Sequence, residues 1–353
     1  MMTAGVGELV AAALVLPLAL LLDLVASEPP ERVHPVCAMG ALACGAERKT
    51  RRWLRCPARG LDEQPARVPR AMAVREFLAG LAAGLMVLVT FTAIPAAVTA
   101  AATKLCPIAG GLFAAAAVWL CMAPTSLDAH ARRVARPLRD HDLAGARAAV
   151  SMIVGRETGG LDEHGVARAC VESVAENFTD GVLASLLWAL LGFLVFGFAG
   201  AAALPFLQRA ANTLDAMWGK RNARYQHFGT FAARLDDLLV LPAARLALPL
   251  TAAAALFARG CDARAALAIG WRYRHAHESP NSAWSEAAFA GALGLTLGGP
   301  ATYAGMRVDH PALGEGSPNA DARHISGALA LMWTATWLAT GTGTILLVLL
   351  AWP

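Results

Sequence analysis

An all-α polytopic membrane protein is the fold this sequence predicts, with roughly five to seven membrane helices, some of them short or re-entrant. Three observations predict it. The 353 residues are 57% hydrophobic and only 16% charged, against about 25% charged in ordinary soluble domains. Mean hydropathy is +0.49. Apolar runs of about 20 residues, the length that crosses a hydrocarbon core of about 30 Å, recur along the chain.

The runs justify the elements in order. Val6–Val25 opens the chain without a basic n-region or a small-residue cleavage site, so it reads as a retained helix. The following loop carries ten basic residues between Arg32 and Arg75, whereas no Lys or Arg precedes the first run. The positive-inside rule therefore puts that loop in the cytoplasm and the N-terminus outside. Phe77–Ala102 and Leu105–Ala123 form a hairpin that returns the chain to the cytoplasmic side at Pro124. Val182–Ala203 is interrupted by Gly192, Gly197 and Gly200, and the expectation is a pair of short helices turning near Gly197–Gly200. Such a break is tolerated at membrane depth only under cover of protein or water. Leu238–Phe257 contains Pro242, Arg245 and Pro249, which leaves its crossing open. Ala287–Gly299 is short enough for a half-helix, and Ala328–Leu350 completes the set. One integrated membrane domain over residues 1–353 is expected.

Charge and cysteine content exclude several classes. A net charge of +4, dispersed along the chain, gives no footprint for nucleic acid. Seven scattered cysteines without a CxxC pair suit small buried hydrophobes better than a disulfide framework or zinc site. No GxxxxGK[ST], HExxH, GxSxG or GxGxxG occurs, so neither an ordinary P-loop, zinc or serine hydrolysis nor a Rossmann site is supported.

The chemistry lies in polar blocks between the apolar runs. The densest is IVGRETGGLDEHGVARACVESVAENFTDG, from Ile153 to Gly181. Glu172, Glu176 and Asp180 fall four apart, so a helix shows them on one face with Asn177 beside them. Two readings follow: a cation site, since clustered carboxylates repel unless something compensates, or the solvated face of an amphipathic helix. Arg156 supplies a guanidinium for an anion. At the end of the opening helix, Asp23, Glu28 and His34 are candidates that each also have a structural reading. Asn212 to Asp215 is followed by Lys220, Arg221, Arg224 and Tyr225, an order that suits phosphate bound with its metal and equally suits anionic lipid heads. Arg234 with Asp236 and Asp237 forms another block. The last holds Asn281, Trp284 and Glu286. Ionisable groups at membrane depth are functional candidates because inserting each costs a few kcal/mol.

Together these blocks, with ANTLDAMWGKRNARYQHFG, ARLDD, SPNSAWSEAAFAGALGLTLGG and the opening DLVASEPPERVHPVCAMG, closely resemble the adenosylcobinamide-phosphate synthase family of cobalamin biosynthesis (CobD/CbiB), from about Asp23 to Gly305. The sequence departs from that family's pattern at Ser27-Glu28-Pro29, at Val240, at Ala243-Ala244, and at Ala283 and Ser285 around Trp284. The resemblance implies a multipass enzyme of the cell membrane, its motif loops cytoplasmic. It would join aminopropanol, or its phosphate, to a propionate carboxyl of adenosylcobyric acid in an ATP-dependent amide synthesis with Mg²⁺ accompanying the nucleotide. Making a carboxyl oxygen a leaving group requires phosphorylation and a metal to shield the triphosphate. Glu172, Glu176, Asp180 and Asp215 are then the candidate metal ligands. Arg156, Asn212, Lys220, Arg221, Arg224, Asn281 and Trp284 are candidates for binding substrate, and Asp236, Asp237 and His34 for catalysis. Trp218 and Trp284 are candidate platforms for the corrin ring. A membrane transporter and a non-catalytic sensor or regulator of the same family are the alternatives; no inverted repeat is visible to favour the former.

Overall fold

The computed structural model describes residues 5–57, 59–60, 63, 67–220, 222–303 and 305–352. In chain order it comprises α1 (Val6–Ala26), α2 (Pro35–Trp53), α3 (Arg70–Leu105), α4 (Pro107–Trp119), α5 (Pro124–Arg139), α6 (Leu143–Val150), α7 (Glu163–Asn177), a π-helical turn (Phe178–Leu183), α8 (Ala184–Trp218), α9 (Thr230–Ala255), α10 (Ala263–Tyr273), α11 (Ser282–Leu293), β1 (Leu297–Tyr303), β2 (Met306–Leu313) and α12 (Ala322–Ala351). Among the described residues, six helical stretches are long and apolar enough to cross a membrane, as composition predicts of a polytopic chain. One integrated domain is the sequence expectation; within the chain, contacts group into two compact units, each built from discontinuous segments. The first comprises residues 1–122, 185–239 and 343–353, the second 123–184 and 240–342.

Within the first unit, α1 packs on α4, and α3 packs on both α2 and α4. The helix α2 is amphipathic for a visible reason: Met39, Ala43, Ala46, Glu47 and Thr50 recur at helical spacing and are its buried residues. His34 caps its N-terminus, the ring Nδ1 accepting from the Val36 amide at 3.2 Å, and Pro35 occupies the first turn, where no amide partner is needed. The expected hairpin over Val182–Ala203 is present inside α8. Gly197 leaves helical geometry, with φ 62° and ψ −148°, a region essentially reserved for glycine. Backbones then meet across the turn: a Cβ on Gly192 would lie 2.1 Å from the Gly200 carbonyl oxygen, whereas eight residues of straight helix would separate them by about 12 Å. Phe193 and Phe198 stack edge to face at 5.1 Å beside the turn. Equally far from Gly197 on either side, Ser185 and Arg209 both donate to the Cys121 carbonyl, at 2.9 Å from Ser185 Oγ and 2.9 Å from Arg209 Nε.

In the second unit α10 packs on α11, and α7 contacts α5, α6, α11 and β1. The half-helix expected over Ala287–Gly299 is half right. The helix α11 stops at Leu293 because Gly294 adopts the left-handed conformation that caps a helix, φ 65°. The chain then turns into β1, which pairs antiparallel with β2 and is bulged between Gly298 and Pro300. Apolar content alone does not separate a short helix from a strand, which is why this sheet was not expected.

The hairpin yields a prediction. Gly192→Val places a branched side chain where another backbone lies, and is expected to lower the unfolding temperature in detergent by several degrees and to reduce folded yield. Gly341→Ala, at a position open on all sides, is expected to change neither. Equal melting of both variants would refute the close approach of the arms.

Candidate functional site

In the second unit, two separated polar blocks, that of Ile153–Gly181 and that of Glu286, meet β1 and β2 in a cleft of about 790 Å³, mouth included, lined by Arg156, Glu172, Glu176, His277, Glu286, Tyr303 and His310 among others. Glu172, on α7, is buried and engages two partners. Arg156 pairs with its Oε2, and the Gly298 amide donates to its Oε1 at 2.6 Å. Both contacts compensate a charge that burial would otherwise make costly. Glu176, one turn on, is exposed at the cleft and lies 3.5 Å from the Ser282 hydroxyl. Asp180 does not line the cleft. It sits in the π-helical turn, still within electrostatic range of Glu286. Glu286, on α11, is buried, and burial drives its carboxyl well above the ordinary value; Glu176, Glu172 and Asp180 push the same way and Arg156 opposes them.

The remaining wall is the β-hairpin. It is tied to the Arg156 segment at two points: the Glu157 amide donates to the Thr302 carbonyl at 2.8 Å, and the Gly305 amide donates to Glu157 Oε1 at 2.7 Å. His310 on β2 stacks on His277, centroids 5.8 Å apart and planes 7° from parallel. Both His310 ring nitrogens are buried without a hydrogen-bond partner among the described residues. His277 accepts from the Ser279 amide; burial, then His310, lowers its pKa, so it stays a neutral ring at neutral pH. Sequence reading assigned no role to His277, Tyr303 or His310, and left Glu286 in its block without one. Only the ionisable character of these residues beside apolar runs signalled them.

In the first unit, a second group contains Asn212 and Asp215 of α8 with Asp236 and Asp237 of α9. Asn212 hydrogen-bonds Asp236, which also feels the charges of Asp215, Asp237 and Arg209. Gly219 lies against Asp215: a Cβ there would be 2.0 Å from Asp215 Oδ1. Lys220 is exposed, and Arg221 lies outside the described residues. Arg224 is held by Glu47, its Nε and Nη2 both 2.9 Å from Glu47 Oε1, and Arg51 Nε reaches the same oxygen at 2.9 Å. Glu47, a partner far away in sequence, was not expected.

Two expectations need correction. Trp218 and Trp284 are not open platforms. Trp218 is fully buried against Phe228, and Trp284 is buried in a cluster with Val240, Ala244, Leu248 and Ala288. There the Arg245 guanidinium covers the Trp284 ring at 5.0 Å and donates to Asn281 Oδ1 at 2.8 Å, so Asn281 and Trp284 are parts of one packed corner. His34, taken above as a catalytic candidate, serves as the α2 cap. Among the described residues, no three of His, Cys, Asp and Glu form a ready cation cage.

Two predictions follow. Arg156→Met strands the buried Glu172 charge and is expected to cost about 3–5 kcal/mol in mixed-micelle unfolding. Adding Glu172→Gln should recover part of this, since the amide oxygen still accepts from Gly298; identical losses in single and double variants would refute the buried pair. The second concerns pH. An unfolded chain releases the Glu286 proton near pH 4.5, the folded chain only well above it, so the folded state holds more protons between the two. Stability should therefore fall as pH rises through that window in the presence of EDTA. Glu286→Gln should flatten the slope, and an unchanged slope would count against the shift.

A family model, the CobD/Cbib protein, matches residues 16–332. A cobalamin biosynthesis protein CobD of Sinorhizobium fredii is 47% identical over 241 residues, covering 67% of this chain and 72% of its own. The cobalamin biosynthesis protein CobD of Citrobacter koseri is 38% identical over 322 residues, covering 91% and 93%. CbiB of Salmonella paratyphi A, also named a cobalamin biosynthesis protein, matches at 38% over 322 residues with the same coverage. No solved structure matches. With the match running through every polar block of both units, the chain belongs to the CobD/CbiB family of cobalamin biosynthesis proteins.

Proposed function

We propose that this protein is a multipass membrane adenosylcobinamide-phosphate synthase: it condenses aminopropanol, or its phosphate, with a propionate carboxyl of adenosylcobyric acid at the expense of ATP. The observation that carries the reading is the cleft. A chain with few charges gathers Arg156, Glu172, Glu176 and Glu286 from distant segments into one cavity, an arrangement costly to fold and useful for handling a charged substrate.

The chemistry divides into two displacements. A carboxylate oxygen attacks the γ-phosphorus of ATP, the bond to ADP breaks, and an acyl phosphate results. The amine then attacks the acyl carbon, inorganic phosphate leaves, and the nitrogen gives up a proton. The donor set suits Mg²⁺, a hard cation that takes one or two carboxylates and keeps its waters. Glu176, exposed at the cleft, would hold it, with Asp180 as the neighbouring acid and Asp215 as a further candidate. Bound with the nucleotide, the ion would neutralise charge on the phosphates. Glu172 serves differently, fixing Arg156 so that one edge of the guanidinium remains for an anionic oxygen. The amine's proton is assigned to Asp236 or Asp237. The mature setting is a cell membrane with the motif loops facing the cytoplasm.

A transport reading draws on the Gly197 break, since transporters also place broken helices at membrane depth. It would give corrinoid uptake into sealed vesicles without ATP and without a new amide.

The deciding assay supplies purified protein in detergent with adenosylcobyric acid, aminopropanol phosphate and Mg-ATP, and seeks the amide by mass spectrometry. Product that depends on both ATP and Mg²⁺ is expected. Glu176→Gln should lose about 100-fold or more in kcat, as removal of a group acting in the transition state does, with its unfolding temperature unchanged. No amide from the wild type, or Glu176→Gln within a few-fold of it at saturating Mg²⁺, would overturn the reading.

A further inference from the structure

The proposed reaction makes no use of α2, yet its C-terminal turn builds a second cavity in the first unit. Arg51, Arg52 and Arg55 face it, with Cys56, Pro57, Arg59 and Arg224 along the rest of its wall, in an open cleft of about 590 Å³, mouth included. Five guanidiniums thus share a small volume with few carboxylates. Glu47 takes Arg51 and Arg224, and Glu76 lies 3.5 Å from Arg59. Among the described residues neither the Arg52 nor the Arg55 guanidinium, both exposed, has a hydrogen-bond or ion-pair partner. Like charges so placed repel unless an anion sits among them.

Two simpler accounts explain only part of this. Cations in a last helical turn complement the helix dipole, which covers Arg51 and Arg52 but not Arg59 or Arg224, brought from other segments. Helix termination explains the left-handed backbone of Arg55, φ 52°, since the Cys56 amide donates to the Arg51 carbonyl and the Arg55 amide to the Arg52 carbonyl. It asks for no guanidinium there, a place that glycine usually fills.

We propose that this cleft binds a phosphate-bearing anion through its guanidinium forks, the phosphate belonging either to a soluble oligophosphate such as a nucleotide tail or to an anionic phospholipid headgroup. Guanidinium suits the role because its planar donors meet phosphate oxygens in pairs, which a lysine cannot do. The site stands independently of amide synthesis, since its readout is binding alone.

Cys56, a free thiol in the cavity wall, reports occupancy. Its reaction with N-ethylmaleimide is followed by peptide mass spectrometry, with the exposed Cys44 of α2 as internal reference. Mildly alkaline buffer is used because burial raises the Cys56 thiol. In detergent, metal-free tripolyphosphate is expected to slow Cys56 labelling several-fold and leave Cys44 unchanged, which identifies a soluble oligophosphate site. Slowing in phosphatidylglycerol nanodiscs relative to phosphatidylcholine, without an effect of tripolyphosphate, assigns the phosphate to lipid. The double variant Arg52→Gln, Arg55→Gln should abolish whichever protection is seen while its unfolding temperature stays at that of the wild type. Cys56 labelling that ignores both probes, or protection that survives in the double variant, would overturn the proposal. Absence of protection in the wild type, beside intact amide synthesis in the assay above, would count against this site alone.

Discussion

Buried carboxylate charge organises the second unit. Glu172 sits on α7 at a position nearly sealed from solvent, and an ion of that size resists leaving water by several kcal/mol even after the protein relaxes. It is retained because two groups answer it, the Arg156 guanidinium and the Gly298 amide. These come from the loop before α7 and from β1, so satisfying one charge fixes three segments that share no local sequence. Glu286 meets the same environment without a cation of its own and answers it by holding its proton. One pair of glutamates thus takes opposite solutions to the same desolvation, ion pairing and neutralisation. Glu176, one turn on, is more exposed and lies 3.5 Å from the Ser282 hydroxyl at the mouth of the cleft.

The first unit applies the same rule with different partners. Glu47 is buried on the inner face of α2, where amphipathic spacing would put an alanine or a methionine. Arg51 and Arg224 converge on its Oε1, and the Tyr225 hydroxyl donates to Oε2 at 3.3 Å. Arg51 also covers the Phe228 ring at 4.2 Å and donates to the Arg224 carbonyl at 2.7 Å. The turn after α8 is therefore clamped to α2 through one carboxylate, and the apolar stems and planar heads of the arginines provide packing as well as charge.

How much of this the sequence revealed depends on the range of each interaction. Hydropathy is summed over about 20 consecutive residues, so the helices α1, α3, α9 and α12 were legible. So was the turn at Gly197, because three glycines in one apolar run are a local signal. The acidic block was legible as chemistry, but the π-helical turn that begins at Phe178 and carries Asp180 was not, since α-helical spacing says nothing of it. Pairings across long separations were not legible at all: Glu47 with Arg224, His277 with His310, Glu172 with Gly298. Tryptophans 218 and 284 misled for a related reason. A large aromatic beside a polar motif is equally a ligand platform or a core anchor, and only the packing around it decides.

The β-hairpin, the element least visible beforehand, couples the cleft's charge to its shape. Its first strand meets Glu172 through the Gly298 amide, its middle accepts from the Glu157 amide at Thr302, and its turn donates from Gly305 to Glu157 Oε1. Arg156 lies next to Glu157 in the chain and pairs with Glu172, so the two ends of this network close on each other. Arg156 and Glu172 both line the cleft and both take part in holding its wall, so the charge of the site and the position of the hairpin are fixed by the same few residues. That is what a two-stranded sheet adds to a unit otherwise built of helices: an amide placed on a buried carboxylate that no neighbouring helix supplies.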